Sequence, residues 1–333
     1  MREISLAAIE AAATSVYDAA IRTPLVRLDL PFANATGART PEIYLKLEAL
    51  QPIGSFKIRG AWNAVRALPR ETLAGGVWTV SAGNAAQGVA FAARRAGAPC
   101  SVMVMDTAPQ TKLRAIERLG ATIVSATYDE CWKTVEEHRS DRMAGHFVHP
   151  FDDDLFIAGN GTAGLEIMDD LPDVDAIIAP LGGGGLLAGI AVAARALRPS
   201  VKMYAAEPET AAPLAASLKR GAPGYFENWT ASFVDGAGGR SVLPTMWPLL
   251  ETLVDDSIVV SLDEVRAAMK RTAERVHVIA EGAAACAVAA ALSGRVSGRK
   301  IVAVVSGGNI DLARFAALVD ACPSATSAHI SLI

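Results

Sequence analysis

Cysteine is scarce in this 333-residue sequence, which has only four, and they lie far apart. No two of them form a C-x-x-C pair, so the spacing supports neither a disulfide framework nor a cysteine zinc site. The pattern is typical of reduced thiols and predicts a cytoplasmic protein. The four are Cys100, Cys131, Cys286 and Cys322.

An excess of positive charge is also lacking, since 31 lysines and arginines stand against 35 aspartates and glutamates. The net charge of −4 argues against nucleic acid and anionic membrane surfaces as partners. Residues 1–21 carry acidic side chains in a helical pattern, unlike the apolar centre of a signal peptide. We therefore expect a protein that acts on small molecules.

Long hydrophobic runs are interrupted. The uncharged residues 176–194 would be long enough for a membrane span, but Pro180 and the glycines 182–185 break the run. A strand, a turn and a buried helix explain it better, and no membrane partner is predicted.

The motifs G-x-S-x-G and H-E-x-x-H are absent. His146 and His149 have no cysteine or acidic partner at ligand spacing, so no metal site is predicted.

Short apolar runs alternate with helical patterns along most of the chain. Helices are predicted over 84–97 and 109–120, each ending at a glycine suited to a C-cap. Such alternation predicts an α/β fold with parallel sheets covered on both faces, in two blocks separated around 140–155. Residues 210–250 have weak periodicity and are predicted to be irregular. The predicted strands are 76–80, 101–105, 121–125, 175–180, 201–207 and 300–308.

Polar or glycine-rich motifs follow three of these strands, where α/β sheets bind ligands. In "SAGNAAQGVA" (81–90), backbone N–H groups at a helix start favour a carboxylate, although Ser81 or Asn84 could simply cap the helix. In "SGGN" (306–309), Ser306 could bond a ligand heteroatom or cap the helix that begins near Asp311.

The glycine-rich motif "PLGGGGLLAG" (180–189) points to a phosphate, because successive glycines let backbone amides approach an anion closely. Two alternatives remain open. Gly183, Gly185 and Ala188 also match the dinucleotide pattern G-x-G-x-x-A, with Glu207 placed as the ribose-binding acid. The glycines could also serve only close packing in a turn.

A lysine motif, "SFKIRG" (55–60), separates these readings. "GSFKIRGA", "SAGNAAQG", "GGGGLLAG" and "SGGN", in this order, resemble the pyridoxal-phosphate (PLP) enzymes of fold type II, in the serine/threonine dehydratase and serine racemase branch. The resemblance implies two open, twisted, mainly parallel sheets flanked by helices. It also implies a discontinuous large PLP-binding domain (1–70 and 147–333), a small domain (71–146) that carries the substrate-carboxylate loop, and a homodimer.

The same resemblance implies a role for each motif residue. Lys57 would form the Schiff base with the cofactor and move the Cα proton of the substrate. Phe56 would pack against the cofactor, Asn84 would bond its ring hydroxyl, and Ser306 would meet its pyridine nitrogen. The phosphate would be held by the amides of Gly182, Gly183, Gly184, Gly185 and Leu186. The substrate carboxylate would be held by Ser81, Ala82, Gly83, Asn84 and Ala85.

The implied activity is α,β-elimination, which converts a 3-hydroxy amino acid to a 2-oxo acid and ammonia. Ala85 stands where the family usually has histidine, which suggests a substrate bulkier than serine or threonine, such as phenylserine. Ala82 replaces the second serine of racemases, so racemisation is expected to be slow. The family's divalent-cation site would use Glu207 and a carboxylate at the position of Pro213, so no metal is expected.

Other functions are kept as alternatives. Within the fold, the chain could be a racemase or a β-replacement enzyme. A nicotinamide-dependent dehydrogenase would explain the glycine-rich motif and Glu207 but would leave Lys57, Asn84 and Ser306 without a role. A catalytically silent binding protein on this scaffold would have no need of the lysine.

Overall fold

The computed structural model describes residues 2–29 and 41–321. Cys322, predicted to be a reduced thiol, lies outside the described residues. The strands are β1 (Leu25–Arg27), β2 (Glu42–Lys46), β3 (Val77–Val80), β4 (Cys100–Met105), β5 (Thr122–Ala126), β6 (His146–Phe147), β7 (Ala176–Pro180), β8 (Lys202–Pro208), β9 (Asp256–Val260) and β10 (Lys300–Val304).

Helices lie between most of these strands, as expected for an α/β protein. They are α1 (Leu6–Val16), α2 (Lys57–Arg66), α3 (Arg70–Ala74), α4 (Asn84–Ala96), α5 (Gln110–Glu117), α6 (Tyr128–Glu137), α7 (Asp154–Asp170), α8 (Gly185–Leu197), α9 (Pro213–Arg220), α10 (Trp247–Leu253), α11 (Leu262–Val276), α12 (Gly282–Leu292) and α13 (Leu312–Asp320). Within the described ranges, no helix combines the length and the apolar character that a bilayer crossing requires.

Two sheets form the framework, and the predicted fold class is confirmed. The larger has the strand order β1-β2-β10-β7-β8-β9, and all its pairings are parallel except that of β1 with β2. The smaller has the order β5-β4-β3-β6 and is wholly parallel. Its strands lie within 77–147. The predicted domain boundaries at 70/71 and 146/147 stay a prediction.

Some sequence predictions were wrong in detail. Helix α5 ends at Glu117 with Arg118 as its C-cap, two residues before the glycine predicted to cap it. The region 210–250, predicted to be irregular, contains α9 and the start of α10. Helix α9 begins with a proline and owes its cap to a side chain from β8, a contact that sequence periodicity does not reveal.

Helix α2, which begins at the motif lysine, packs closely against two neighbours. A Cβ atom at Gly88 of α4 would lie 3.0 Å from the carbonyl oxygen of Lys57. A Cβ atom at Gly159 of α7 would lie 2.5 Å from the carbonyl oxygen of Arg59. A side chain is therefore excluded at Gly159 and would be crowded at Gly88, and these close crossings fix the helix that presents Lys57.

A buried ionic network anchors the same helix. Arg59 Nε lies 2.7 Å from Glu48, and its Nη1 lies 2.7 Å from Glu166, which also pairs with Lys46 Nζ at 2.6 Å. All four side chains are at most 1% exposed. Burial alone would lower the pKa of Arg59, but Glu48 and Glu166 together raise it, so the guanidinium stays charged. The motif arginine is thus structural, and it holds α2 against the 3₁₀ turn Glu48–Leu50.

Candidate active site

Lys57 lies at the carboxyl end of the large sheet because two loops are joined there. The N–H of Phe56 donates to the carbonyl of Ser306 at 3.0 Å, and the N–H of Gly308 donates to the carbonyl of Gly54 at 2.9 Å. The lysine loop is thereby fixed to the loop that follows β10. Ser306 is buried and does not cap α13, whose first turn is capped by the side chain of Asp311.

The amino group of Lys57 is held in an apolar pocket. Its Nζ donates to the carbonyl of Pro150 and lies 5.1 Å and 5.2 Å from the ring centroids of Phe56 and Phe156. Burial lowers the pKa of Lys57 from 10.5 to about 7. A substantial neutral fraction near pH 7 makes this amine a nucleophile towards a carbonyl and a base towards a carbon acid.

A chain of amides connects this lysine loop to the loop after β3. Asn309 Nδ2 donates to the carbonyl of Ile53 and to Asn84 Oδ1, both at 2.8 Å. Asn84 Nδ2 in turn donates to Glu281 Oε1 at 2.6 Å. These bonds orient the Asn84 amide and leave one Nδ2 hydrogen for a ligand. Asn309 belongs to the third strand-end motif, although the sequence predicts no role for it.

Glu281 precedes α12 and is enclosed by the site. Its N–H donates to the carbonyl of Gly307 at 3.0 Å. Burial raises the pKa of Glu281 to about 7, although the hydrogen bond from Asn84 opposes the rise. The site therefore contains an amine and a carboxyl group whose pKa values have both moved to near neutrality, a feature common at catalytic centres.

The predicted carboxylate loop, Ser81 to Ala85, joins β3 to α4. Gly83 is the N-cap of α4 and no side chain caps this helix, so the alternative of a plain cap by Ser81 or Asn84 is wrong. Ser81 Oγ instead accepts the N–H of Gly83 at 3.1 Å. The space beyond the α-carbon of Gly83 is open, with no atom within 4 Å of a Cβ placed there. Ala82 is partly buried and Ala85 is fully buried in the first turn. The loop can thus receive a small anion at the helix start.

The tetraglycine turn joins β7 to α8 and can form a phosphate cradle. Gly184 has φ +94°, a conformation that L side chains rarely adopt. Cβ atoms at Gly183 and Gly185 would lie 2.1 Å and 2.5 Å from Phe151 atoms. The first N–H groups of the 13-residue helix α8, including that of Leu186, have no acceptor within the helix. The turn therefore offers backbone amides without side chains, which suits a phosphate group.

Glu207 is not available to a ribose or a cation. Its carboxylate accepts the N–H groups of Leu214 and Ala215, each at 2.8 Å, and the hydroxyl of Ser257 at 2.5 Å. It is fully buried, and burial raises its pKa to about 7. Both carboxylate oxygens are occupied in capping α9, which begins at Pro213. This geometry removes the acid that the dehydrogenase alternative needs.

One cluster of potential metal ligands lies next to the loop that carries Pro150, whose carbonyl accepts the hydrogen bond from Lys57. Among the described residues, donor atoms of His138, His149 and Asp152 all lie within 4.8 Å of one another. His149 was predicted to lack an acidic partner, whereas Asp152 lies beside it. However, His149 Nδ1 accepts the N–H of Asp152 at 2.7 Å, and its Nε2 lies 3.1 Å from the carbonyl of Val135. Both ring nitrogens are used internally, so the cluster shapes the loop that carries Pro150.

A half-buried lysine of near-neutral pKa and a turn of glycine amides are the features expected of an enzyme that holds a phosphorylated aldehyde cofactor. A family model described as pyridoxal-phosphate dependent enzyme matches residues 16–307. The chain belongs to this family, which confirms the predicted resemblance, the fold type and the cofactor.

Several characterised proteins are similar over nearly the whole chain. L-threonine ammonia-lyase of Thermotoga maritima is 38% identical over 93% of this chain and 76% of the relative. The catabolic L-threonine dehydratase of Staphylococcus aureus is 37% identical over 95% of this chain and 92% of the relative. Maize serine racemase has a TM-score of 0.84 at 32% identity, covering 95% of this chain and 97% of that structure.

Pyridoxal phosphate fits the residues present. Lys57 would hold its aldehyde, the amides of residues 182–186 its phosphate, Asn84 its ring hydroxyl and Ser306 its ring nitrogen. When bound, this cofactor withdraws electrons from the Cα atom of an amino acid substrate. The individual roles of the site residues stay predictions, since only their positions are established.

Proposed function

We propose that this protein is a PLP-dependent dehydratase (ammonia-lyase) that converts a 3-hydroxy amino acid to a 2-oxo acid and ammonia. The observation that carries the proposal is the half-buried, partly neutral amine of Lys57, whose loop is joined through Asn309 and Asn84 to the carboxylate loop. The relatives named threonine ammonia-lyase and threonine dehydratase support this reaction class.

Different residues of the chain bind the substrate and move its Cα proton. The N–H groups at the start of α4 bind and orient the substrate carboxylate, while Lys57 removes the Cα proton because its amine is neutral in part near pH 7. The β-hydroxyl leaves with a proton as water, and a second water molecule later displaces ammonia at Cα. The net change is therefore the formation of one 2-oxo acid and one ammonia from each amino acid.

The substrate is proposed to be of the threonine/serine type or a bulkier 3-hydroxy amino acid such as phenylserine. Ala85, in the first turn of α4, carries no polar group where an imidazole is usual in the family. This substitution supports the bulkier side chain.

We also propose a cytoplasmic homodimer. The free, buried Cys100, Cys131 and Cys286 support the compartment, and the mass in solution would test the dimer.

A racemase is the second candidate, because serine racemase and aspartate racemase structures are 32% and 30% identical to this chain. Racemisation needs an acid on the face opposite the lysine. Ala82 provides none where racemases carry a second serine, which supports elimination. A β-replacement enzyme would need a second, nucleophilic substrate and would release little 2-oxo acid.

The decisive experiment offers the purified, PLP-supplemented protein a panel of 3-hydroxy amino acids while 2-oxo acid and ammonia are measured. We expect equal amounts of both products, and expect Lys57→Ala to abolish turnover together with the visible absorption band of the bound cofactor. Lys202→Ala is the matched control, since Lys202 is an exposed lysine that pairs with Asp255. Unchanged product formation by Lys57→Ala would refute the proposal.

A further inference from the structure

The segment 235–241 lines the candidate active site from the large-sheet side. The carbonyl oxygen of Gly236 is 2.5 Å from the place of a Cβ atom on Gly182, the first residue of the phosphate cradle. A Cβ atom on Gly236 would itself lie 3.9 Å from Glu281 Oε1. The backbone of this segment therefore borders both the cradle and the Glu281–Asn84 pair.

The same segment contacts the carboxyl edge of the small sheet. Asp235 pairs with Lys112 Nζ at 2.5 Å, and Lys112 belongs to α5, which follows β4. Arg240 contacts Tyr128, the first residue of α6, which follows β5. The carboxylate loop follows β3 in the same sheet, so Arg240 and this loop lie towards the same edge of the small sheet.

Two aromatic rings hold the guanidinium group of Arg240. Its central carbon lies 4.1 Å from the ring centroid of Tyr128 and 4.2 Å from that of Trp229. Trp229 is itself fixed by an Nε1–H bond to the carbonyl of Gly238 at 3.0 Å. The two ring centroids lie 6.4 Å apart, so the rings contact adjacent sides of the guanidinium group rather than its two opposite faces. These contacts hold the group in place and leave N–H groups for a ligand.

One N–H group of this guanidinium has no acceptor among the described residues. Its Nε atom is buried and makes no hydrogen bond within the part of the chain that the structure describes. Nor does any carboxylate of those residues form an ion pair with it. A buried N–H group without an acceptor is costly, so an oxygen acceptor supplied by a ligand would be strongly preferred there.

We propose that Arg240 determines substrate specificity by binding an oxygen acceptor, a carboxylate or acyl oxygen, on the substrate side chain beyond Cβ. The inference rests on the proposed function and narrows its substrate class to 3-hydroxy amino acids that carry such a group. The small side chain of Ala85 is consistent with a longer substrate side chain. The cofactor phosphate is the other possible source of an anion, because the same segment borders its cradle.

The test compares wild type, Arg240→Met and Arg240→Lys as PLP-loaded enzymes. We expect the ratio of kcat/KM for 3-hydroxyaspartate over threonine to fall about 10- to 100-fold in Arg240→Met, the range for one lost charge-assisted hydrogen bond. Arg240→Lys retains charge but not the planar fork, so an intermediate ratio is expected. Arg266→Met is the control, because Arg266 also stacks on a ring, that of Phe233, but has Asp263 as partner.

A binding measurement provides a readout that does not depend on turnover. L-aspartate and L-2-aminobutyrate lack the β-hydroxyl group, and the ratio of their dissociation constants isolates the distal carboxylate. We expect Arg240→Met to shift this ratio 10- to 100-fold against L-aspartate, with the affinity for PLP and the unfolding temperature unchanged.

The remaining outcomes separate the hypotheses. If both ratios stay as in wild type, Arg240 does not read the substrate side chain. A loss of PLP affinity with unaltered ratios would assign Arg240 to the phosphate and overturn the inference. If wild type turned over no 3-hydroxy amino acid at all, the proposed function would fail. The aspartate/aminobutyrate ratio would still support or refute the role of Arg240.

Discussion

At the scale of single residues, the site depends on groups moved away from their usual ionisation. An exposed lysine is almost fully charged at neutral pH and is a poor nucleophile. Desolvation makes the charged form of Lys57 costly and lowers its pKa to about 7. The same desolvation keeps Glu281 protonated to near pH 7. Both groups are thus neutral in part where the reaction is expected to run.

We propose that Glu281 positions Asn84, to which it is hydrogen-bonded, and carries a pH-dependent charge. Its pKa is raised, so it is neutral below about pH 7 and carries a negative charge above that value. The charge then lies beside the loop predicted to receive the substrate carboxylate and would repel that carboxylate. We expect the wild-type KM to rise roughly 5- to 10-fold from pH 6 to pH 8.5, which corresponds to about 1 kcal/mol of repulsion.

Glu281→Gln retains an acceptor for Asn84 but cannot ionise, so its KM should stay flat over the same pH range with kcat little changed. Glu251→Gln, at an exposed position on α10, should reproduce the wild-type profile. Steady-state kinetics at several pH values would decide the matter. A wild-type rise in KM that persists in Glu281→Gln would show that another group titrates.

Site residues that directly follow a strand were predictable from the sequence. Those that enter the site from other parts of the chain, Glu281 and Arg240, were not. The sequence alone predicts that Lys57, Asn84 and Ser306 lie close together, because parallel strands end at a common edge. The contact of Glu281 with Asn84 joins residues far apart in sequence, and no local pattern specifies it. Arg240 lies in the part of 210–250 that has neither helix nor strand, where periodicity gives no signal.

At the scale of elements, strands were predictable where the chain is uniformly apolar. Strand β7 is buried at every position and reads as a continuous apolar run. Strand β2 was missed because it ends with Lys46, whose burial depends on the distant Glu166. Strand β9 begins with an exposed aspartate and has only a short apolar stretch. Burial of a charge is decided by its tertiary partner, which composition alone does not reveal.

Arg59 holds helix α2, the element that presents Lys57. Replacing Arg59 should therefore lower the stability of the protein. Arg59→Met would leave the buried Glu48 and Glu166 without their shared counter-charge. We expect the free energy of unfolding to fall by about 3–5 kcal/mol, the usual cost of breaking a buried ion pair from one side. Chemical denaturation would measure the loss. Arg66→Met, at an exposed position of the same helix, should change it by less than about 0.5 kcal/mol.

A loss below about 1 kcal/mol in Arg59→Met would mean that water or the partner lysine compensates for the missing guanidinium. The structural role assigned to the motif arginine would then be wrong. Arg59→Lys separates charge from geometry, since a lysine cannot bridge two carboxylates through a planar fork. We expect it to recover only part of the lost stability.

At the scale of the whole molecule, the site is held together at a cost in stability. Three groups, the half-buried Lys57 and Glu281 and the buried Glu207, have pKa values near 7 in the folded chain, whereas their ordinary values are 10.5, 4.5 and 4.5. Each group is forced towards its neutral form by folding. Because the unfolded chain lets each ionise freely, the stability of the cofactor-free protein must depend on pH.

The sign of this dependence differs on the two sides of neutrality. Between pH 4.5 and 7 the folded protein retains the protons of Glu207 and Glu281 that the unfolded chain has lost, so stability falls as pH rises. Between pH 7 and 10.5 the unfolded chain retains the proton of Lys57 that the folded protein has lost, so stability increases with pH. Each proton contributes up to about 1.4 kcal/mol per pH unit.

We therefore expect the free energy of unfolding of the cofactor-free protein to pass through a minimum near pH 7, measured by chemical denaturation between pH 5 and 9. Glu207→Gln should flatten the acidic limb in part, and Lys57→Met should flatten the alkaline limb. Adding PLP should remove the alkaline limb in wild type, because a lysine bound to the cofactor no longer titrates as a free amine. A maximum at pH 7 in the cofactor-free protein would contradict the pKa shifts of these three groups.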